Sequence, residues 1–174
     1  LVGLVAAKVG ASHIVLTDGE PAAVSLMERN IQRNGLSHIC EARLLEWSHH
    51  CPSNIAESVG SIPAVLRHRV LLAADVLYAS RLARWLFHAV DAHLCAEDGV
   101  LLMSHQTRYS MRMERESGEV HIDNVDEPLE TFRQLAADAG YHQAELHSVD
   151  VGAGGHVPEA LEGPLLVLAF SRNA

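Results

Sequence analysis

The chain has 174 residues, of which 48% are hydrophobic and 20% charged, and its 13 Lys and Arg against 22 Asp and Glu give a net charge of −9. This composition predicts a folded domain with a substantial core and excludes a disordered tail. Because non-specific nucleic-acid binding depends on basic side chains that neutralise phosphates, the acidic balance argues against a nucleic-acid partner.

The chain also lacks sequence signals for membranes or secretion. No apolar stretch approaches the roughly 18 residues of a membrane span, and no secretory leader opens the chain. The spacing of Cys40, Cys51 and Cys95 is wide and irregular, which is typical of reduced thiols. We therefore expect a cytoplasmic protein, with the nucleus as the alternative. Since the first residue is Leu1 rather than Met, we also expect the chain to be incomplete or processed.

Helix and strand signals alternate from the beginning of the chain. Residues 1–9 are apolar and rich in alanine, which predicts the tail of a helix. Residues 13–17 form a β-branched run that predicts a strand ending at Asp18. Pro21 suits the first turn of a second helix, which has one apolar face and ends at Gly35.

The middle of the chain repeats this alternation. Residues 40–47 predict a second, weaker strand, and residues 48–61 predict a polar loop with a short helix. Residues 69–75 are strongly apolar, which is typical of a buried parallel strand. A helix is predicted over residues 80–96, with Ser80 as its N-cap and apolar residues four apart.

The remaining elements complete an α/β pattern. Residues 100–104 predict a buried strand, a polar loop follows, and Pro128 opens a helix that ends at Gly140. Two further strands are predicted at residues 143–149 and 165–170. Strands separated by helices favour right-handed crossovers and a mainly parallel, doubly wound, Rossmann-like sheet. The last two strands have no helix between them, so we expect a C-terminal antiparallel hairpin, within a single domain over residues 1–174.

Asp18 is the first candidate functional residue. In doubly wound sheets, ligands bind beyond the carboxyl ends of the strands, and Asp18 ends the first visible strand. A carboxylate at this point can accept hydrogen bonds from both ribose hydroxyls of an adenosine cofactor. The alternative is that Asp18 caps the helix that begins at Pro21, and the spacing leaves both interpretations open.

Two further strand ends carry candidate residues. Glu46 and Trp47 end the second strand, where an aromatic ring beside a backbone amide can bind adenine; the alternative is that Trp47 covers the sheet edge. Asp75 follows the most apolar strand, where a carboxylate is costly unless it binds a ligand or makes hydrogen bonds. His105, Gln106 and Arg108 follow the next strand; they are secondary candidates for contacting an acceptor, and a solvated loop is the favoured interpretation there.

The order of these motifs resembles a known family. The run GLVAAKVGASHIVLTD, the asparagines Asn30 and Asn34, then LLEW and LAADVLY are similar to the seven-β-strand, class I, S-adenosylmethionine-dependent protein lysine methyltransferases of the methyltransferase-like group, methyltransferase family 16. The family's Asp-x-x-Tyr signature is matched by Asp75 and Tyr78. The resemblance covers residues 1–110 well and the remainder in outline.

This resemblance implies a role for each candidate. Asp18 would bind the ribose of S-adenosylmethionine, and Glu46 and Trp47 would lie against the adenine. Ala74 would contact the cofactor through its backbone. Asp75 and Tyr78 would face the incoming amine of a protein lysine.

The implied chemistry is an in-line displacement at a sulfonium carbon by a neutral amine, which depends mainly on positioning. A carboxylate can orient the amine, and a tyrosine can shape a narrow channel for a lysine side chain. Enzymes that methylate planar nitrogens usually have two prolines where this chain has Val76 and Leu77, which disfavours such acceptors. A small-molecule methyltransferase and a non-catalytic interaction module remain alternatives, because a fold does not determine the acceptor.

The resemblance also implies a first strand and a Gly-x-Gly-x-Gly cofactor loop immediately before Leu1. We therefore expect the parent protein to be an enzyme and this chain alone to be impaired. The glycine-rich residues 152–155 lead into no helix, so hairpin flexibility is favoured over a phosphate loop. The adjacent ligands at residues 49–51 (His-His-Cys) have no second cluster to complete a tetrahedron, and we expect no metal.

Overall fold

The computed structural model describes residues 1–47, 67–114, 117–123, 125–149 and 162–172. It divides the chain into two compact units, which we call unit 1 (Leu1–Arg67) and unit 2 (His68–Ala174). Three features considered in the sequence analysis lie outside the described residues: the loop at 48–61, the possible metal ligands at 49–51 and the glycines at 152–155. None of the helices in the described part of the chain has the length and apolar character that crossing a membrane requires.

The described residues of unit 1 form four elements, each of which the sequence predicts. They are α1 (Val2–Lys8), β1 (Ile14–Asp18), α2 (Pro21–Arg33) and β2 (Cys40–Leu44). The strands β1 and β2 pair in parallel, from Ile14 opposite Cys40 to Asp18 opposite Leu44. The second strand therefore ends at Leu44 and not at residue 47, so Glu46 and Trp47 lie beyond it.

A small apolar core holds these elements together. Ala7 of α1, Ile31 of α2, Leu36 and Cys40 are buried in it. The first helix approaches β1 closely, since a Cβ atom added at Gly3 would lie 3.1 Å from Cγ of Leu16. This packing fixes the direction of β1 and therefore the position of its last residue.

Unit 2 forms eight elements in the part of it that the structure describes. They are β3 (Val70–Ala74), α3 (Ser80–His93), β4 (Val100–Arg108), β5 (Ser110–Met113), β6 (Val120–Asp123), α4 (Glu127–Asp138), β7 (His142–Val149) and β8 (Glu162–Ser171). Four strands form one sheet in the order β3-β4-β8-β7. The pair β3–β4 is parallel, whereas β4–β8 and β7–β8 are antiparallel, which confirms the predicted C-terminal antiparallel pair.

The structure corrects three predictions in unit 2. Ser80 is the first residue of α3, and Ala79 is the N-cap without a side-chain hydrogen bond. The strand β3 was expected to be buried, but Val70 and Leu72 are 54% and 43% exposed. The reason is that β3 lies at the end of its sheet with β4 as its neighbour, and alternate side chains point to opposite faces. The predicted polar loop after residue 104 contains the rest of β4 and the antiparallel β5–β6 pair.

The core of unit 2 joins both helices to the sheet. Phe132 of α4 packs edge-on against Phe87 of α3 and Phe170 of β8, with ring centroids 6.2 and 5.1 Å apart. Met103 of β4 and Leu168 of β8 are completely buried. This packing holds the carboxyl end of β4 rigidly.

Candidate active site

The end of β1 presents an exposed carboxylate. Oδ1 of Asp18 accepts a hydrogen bond of 3.0 Å from the backbone N–H of Glu20, which is the N-cap residue of α2. Asp18 therefore stabilises the turn that leads into the helix, as the capping interpretation predicted. A carboxylate can accept several hydrogen bonds, so this bond leaves acceptor capacity for a ligand.

The segment after β2, which contains Glu46 and Trp47, follows the end of β1 within unit 1. The backbone N–H of Leu45 donates to the carbonyl oxygen of Asp18 over 2.9 Å, which keeps the chain after β2 next to the end of β1. A Cβ atom added at Gly19 would lie 3.8 Å from Cα of Glu46. Glu46 is exposed and Trp47 is partly buried. The three candidates for adenosine binding therefore lie at one edge of the β1–β2 sheet.

The chemistry of these groups fits the adenosine part of S-adenosylmethionine. The exposed carboxylate of Asp18 can accept hydrogen bonds from a ribose diol, and the partly exposed Trp47 offers an aromatic face for an adenine ring. The assignment of these residues to the cofactor stays a prediction.

The end of β3 carries a residue with an unusual backbone conformation. Asp75 has φ of 52°, and it is the only residue other than glycine with a positive φ in the described part of the chain. Its N–H donates to the carbonyl oxygen of Ser104 over 2.9 Å, so the chain turns while still paired to β4. Aspartate adopts this left-handed conformation more readily than most residues. Such conformations concentrate at functional sites, which supports the selection of Asp75.

The carboxylate of Asp75 has a partner that the sequence did not reveal. The guanidinium of Arg108 lies 2.7 Å from Oδ2 of Asp75, with the two side chains 42% and 54% exposed. Because β3 and β4 are parallel, their carboxyl ends lie at the same edge of the sheet, and β4 extends past Ser104 to Arg108. The favoured interpretation of Arg108 as part of a solvated loop is therefore wrong. The predicted role near the acceptor fits this position.

The segment between β3 and α3 contains the other residues of the signature. Ala74 is the exposed last residue of β3, opposite Ser104. Leu77 is only 1% exposed and anchors the segment in the core, whereas Tyr78 is 69% exposed. The backbone therefore presents Asp75 and Tyr78 to solvent on either side of a buried leucine.

A buried ionisable pair supports the end of β4. His105 is completely buried and Asp126 is 5% exposed. The Nε2–H of His105 donates to Oδ2 of Asp126 over 2.8 Å, because the ionised carboxylate can only accept. Asp126 also accepts hydrogen bonds from the backbone N–H groups of Arg108, at 2.8 Å, and Leu129, at 3.0 Å. His105, like Gln106 and Arg108, is therefore part of β4 and not of a solvated loop.

These bonds control the ionisation of Asp126. Burial by itself would raise the pKa of this carboxyl, but the hydrogen bonds from His105, Arg108 and Leu129 and the electrostatic attraction of His105 outweigh it, so the pKa lies below its ordinary value of 3.8. The one sequence signal for this role is that Asp126 lies just before the helix containing Pro128, where an aspartate is a preferred N-cap.

One group of possible metal ligands lies on the β5–β6 pair. The ligand atoms of Glu114, Glu119 and His121 are within 4.8 Å of one another, and all three residues are exposed. Exposed acidic groups of this kind are common without an ion, so we assign no metal site to them.

Comparison with known proteins adds a family match. Residues 1–127 match the family model described as "Lysine methyltransferase". A search of curated protein sequences gave no match.

Several solved structures are similar to the chain in fold. The [4+2]-cyclase SpnF is 15% identical with a TM-score of 0.59, and the match covers 97% of this chain and 70% of SpnF. TYW2 from P. horikoshii, in complex with MeSAdo, is 14% identical with a TM-score of 0.52, covering 92% of this chain and 49% of TYW2. The METTL16 MTase domain is 11% identical with a TM-score of 0.52, covering 100% of this chain and 56% of that domain.

These likenesses show a shared Rossmann-like α/β fold, as predicted. The predicted mainly parallel sheet is not shown, because β1–β2 and β3–β4 pair in parallel while the other three pairs of described strands are antiparallel. The chain spans about half the length of the last two structures. Since SpnF is a [4+2]-cyclase and the METTL16 structure is a methyltransferase domain, the fold does not by itself determine the reaction.

Proposed function

The chain belongs to the lysine methyltransferase family, and on this premise we propose that the full-length protein is a protein lysine N-methyltransferase. It is an S-adenosylmethionine-dependent methyltransferase, as the family match indicates. The finer part of the proposal is the acceptor, the ε-amine of a lysine in a protein substrate. A small-molecule acceptor would use the same fold, so the acceptor needs its own argument.

The observation that carries the proposal is the arrangement of Asp75 and Tyr78. The carboxylate and the phenol lie on one short segment at the carboxyl end of β3, and both reach solvent. An exposed carboxylate can hold an amine through its N–H groups, and an exposed aromatic ring can pack against the aliphatic stem of a lysine. This pair therefore supports a long, thin amine acceptor better than a planar one.

The residues of the chain would act mainly by positioning. When bound, S-adenosylmethionine supplies the electrophilic methyl group, with Asp18, Glu46 and Trp47 of unit 1 as the residues that would hold its adenosine part. The carboxylate of Asp75 would accept a hydrogen bond from the acceptor amine and direct the nitrogen lone pair away from itself. A lysine is protonated at neutral pH, so its amine must lose a proton before attack. Because Asp75 and Tyr78 are exposed, that proton can pass to water.

The proposed partner is a protein that presents a lysine. The net charge of −9 favours a basic substrate over nucleic acid, whose phosphates would be repelled. We propose no membrane partner. We propose the cytoplasm as the compartment, with the nucleus as the alternative, because Cys40 and Cys95 are free thiols.

The test uses the full-length protein, S-adenosylmethionine with a labelled methyl group, and a cell lysate as the source of acceptors. We expect label in a discrete protein band. The label should disappear when the modified lysine of that substrate is changed to arginine, and when the enzyme carries Asp75→Asn.

Two outcomes would overturn the proposal. Label confined to the small-molecule fraction would identify a small-molecule methyltransferase. No label, together with no binding of S-adenosylhomocysteine in calorimetry, would identify a non-catalytic interaction module.

A further inference from the structure

We propose that Arg108 is a positioning residue of the acceptor site, which orients the Asp75 carboxylate and offsets its charge, so that the site admits the lysine as a neutral amine. This inference rests on the proposed function, because it assigns a partner to the carboxylate that would meet the acceptor. It concerns how the site selects the reactive form of its substrate.

The first step of the argument is the geometry of the pair. A nitrogen of the Arg108 guanidinium lies 2.7 Å from Oδ2 of Asp75, which is the length of a charge-assisted hydrogen bond. The contact engages one carboxylate oxygen and leaves the other able to accept from an amine. Asp75 therefore has a defined orientation before any acceptor arrives.

The second step is that a buried carboxylate fixes the backbone of Arg108. Its backbone N–H donates to Oδ2 of Asp126 over 2.8 Å, and Asp126 is itself fixed by His105 and by the first turn of α4. The pairing of β4 with β8 is irregular between Gln106 and Arg108. Irregular pairing of this kind redirects side chains at the ends of strands. The buried Asp126 thus adds a second backbone contact at the end of β4, where Arg108 is also paired with β8.

The third step concerns charge. A lysine side chain has an ordinary pKa near 10.4, and an unpaired carboxylate beside it would stabilise the ammonium form, which has no lone pair. Of the described residues, Arg108 from β4 is the charged group in contact with the Asp75 carboxylate, and Tyr78 is the titratable group on the same segment. Asp126 and His105 are buried and bond to the backbone of Arg108 or to each other. The guanidinium therefore opposes an ammonium ion and leaves the neutral amine as the form that the site accommodates.

The experiment compares Arg108→Met and Arg108→Lys in the full-length protein. Arg69→Met is the matched control, since Arg69 forms an exposed ion pair with Asp98 at 2.6 Å in the same unit. The acceptor probe is a synthetic peptide containing the lysine that is labelled in the test of function, and a second peptide has norleucine at that position. The measurements are kcat and KM across pH, and calorimetric binding of both peptides near neutral pH.

We expect opposite effects of Arg108→Met on binding and on turnover. The lysine peptide should bind more tightly by up to about fivefold, because the carboxylate has lost its cationic partner, while the norleucine peptide should bind as before. At neutral pH kcat should fall about tenfold, and the acid limb of the kcat profile should move up by about one pH unit. Arg108→Lys should restore most of the wild-type profile, and Arg69→Met should match the wild type.

An unchanged pH profile for Arg108→Met, or a parallel loss of lysine-peptide binding and kcat at all pH values, would overturn the inference in favour of a structural role. Thermal unfolding and binding of S-adenosylhomocysteine identify a variant that has failed to fold. Failure of the proposed function would appear differently, as a wild-type protein that does not methylate the peptide.

Discussion

Nε2 of His105 lies 2.8 Å from Oδ2 of Asp126, and this pair joins the end of β4 to the first turn of α4 inside unit 2. Both side chains are withdrawn from water. A buried carboxylate is tolerated only when its hydrogen bonds are satisfied, and Asp126 accepts three. The pair therefore belongs to the scaffold on which the acceptor site depends.

We expect Asp126→Asn to lower the free energy of unfolding by about 2 to 3 kcal/mol, because the hydrogen bonds to an ionised group are lost. Denaturant unfolding at neutral pH measures this change. His105→Gln should be destabilised through the same contact, whereas Gln134→Ala, which alters an exposed contact on α4, should change stability by less than about 0.5 kcal/mol. Equal stability of Asp126→Asn and the wild type would contradict the assigned role.

The same carboxyl predicts the response to acid. The pKa of Asp126 is lower in the folded state than its ordinary value of 3.8, so its contribution to stability is fully present above that value. The contribution is lost as the pH falls through the lower, folded-state pKa. The wild type should therefore lose more stability than Asp126→Asn between about pH 5 and the acid limit of the measurement. Parallel curves for the two proteins would show that Asp126 is not responsible.

Substitutions of Asp75 should affect stability and activity differently. Asp75→Gly should be more stable than Asp75→Ala by about 1 kcal/mol, because glycine adopts the positive φ without strain and alanine does not. Asp75→Asn retains a side chain that tolerates this conformation, so its fold should be unchanged. All three variants should lose kcat/KM by roughly 10- to 100-fold. Thermal unfolding and methylation assays on the same samples separate the two effects, and full activity in Asp75→Gly would exclude the carboxylate from the reaction.

Neighbouring residues of the signature should respond differently to truncation. Leu77→Ala should cost about 3 kcal/mol of stability, since Leu77 is 1% exposed. Tyr78→Ala should leave stability within about 0.5 kcal/mol, since Tyr78 is 69% exposed, and should raise KM for the lysine substrate. Tyr78→Phe distinguishes the ring from the hydroxyl. A Tyr78→Ala enzyme with wild-type KM and kcat would remove Tyr78 from the acceptor channel.

Asp18 allows its two interpretations to be tested separately. Asp18→Asn keeps an oxygen that can accept from the N–H of Glu20, so stability should be retained. Its affinity for S-adenosylhomocysteine should fall about tenfold, because a charge-assisted acceptor is lost. Asp18→Ala should lose about 0.5 to 1 kcal/mol of stability in addition. Calorimetry on the full-length protein measures the affinity, and unchanged binding in both variants would leave Asp18 with the turn alone.

The six strands predicted from the sequence all occur, with the predicted helices that fall within the described residues. Their signals are local, because periodicity, glycines and prolines act within a few residues. The selection of Asp18, Trp47 and Asp75 followed from the same rule, since a strand end can be located without knowing its neighbours. The β5–β6 pair was missed because each strand is only four residues long and carries two apolar residues, which is too short a pattern to predict a strand.

Only the tertiary structure showed which of these side chains contact each other. Arg108 and Asp75 are 33 positions apart, and His105 and Asp126 are 21 apart, so no local pattern indicates either contact. Their proximity depends on the parallel register of β3 with β4 and on the helix that begins at Asp126. Asp75 has its positive φ at the point where its N–H still bonds to Ser104 on the adjacent strand. The sequence by itself determined the order of the elements and the residues at the strand ends, because both depend on interactions between residues close together in the chain. The partners of those residues depend on strand pairing between distant parts of the chain, so only the tertiary structure determined them.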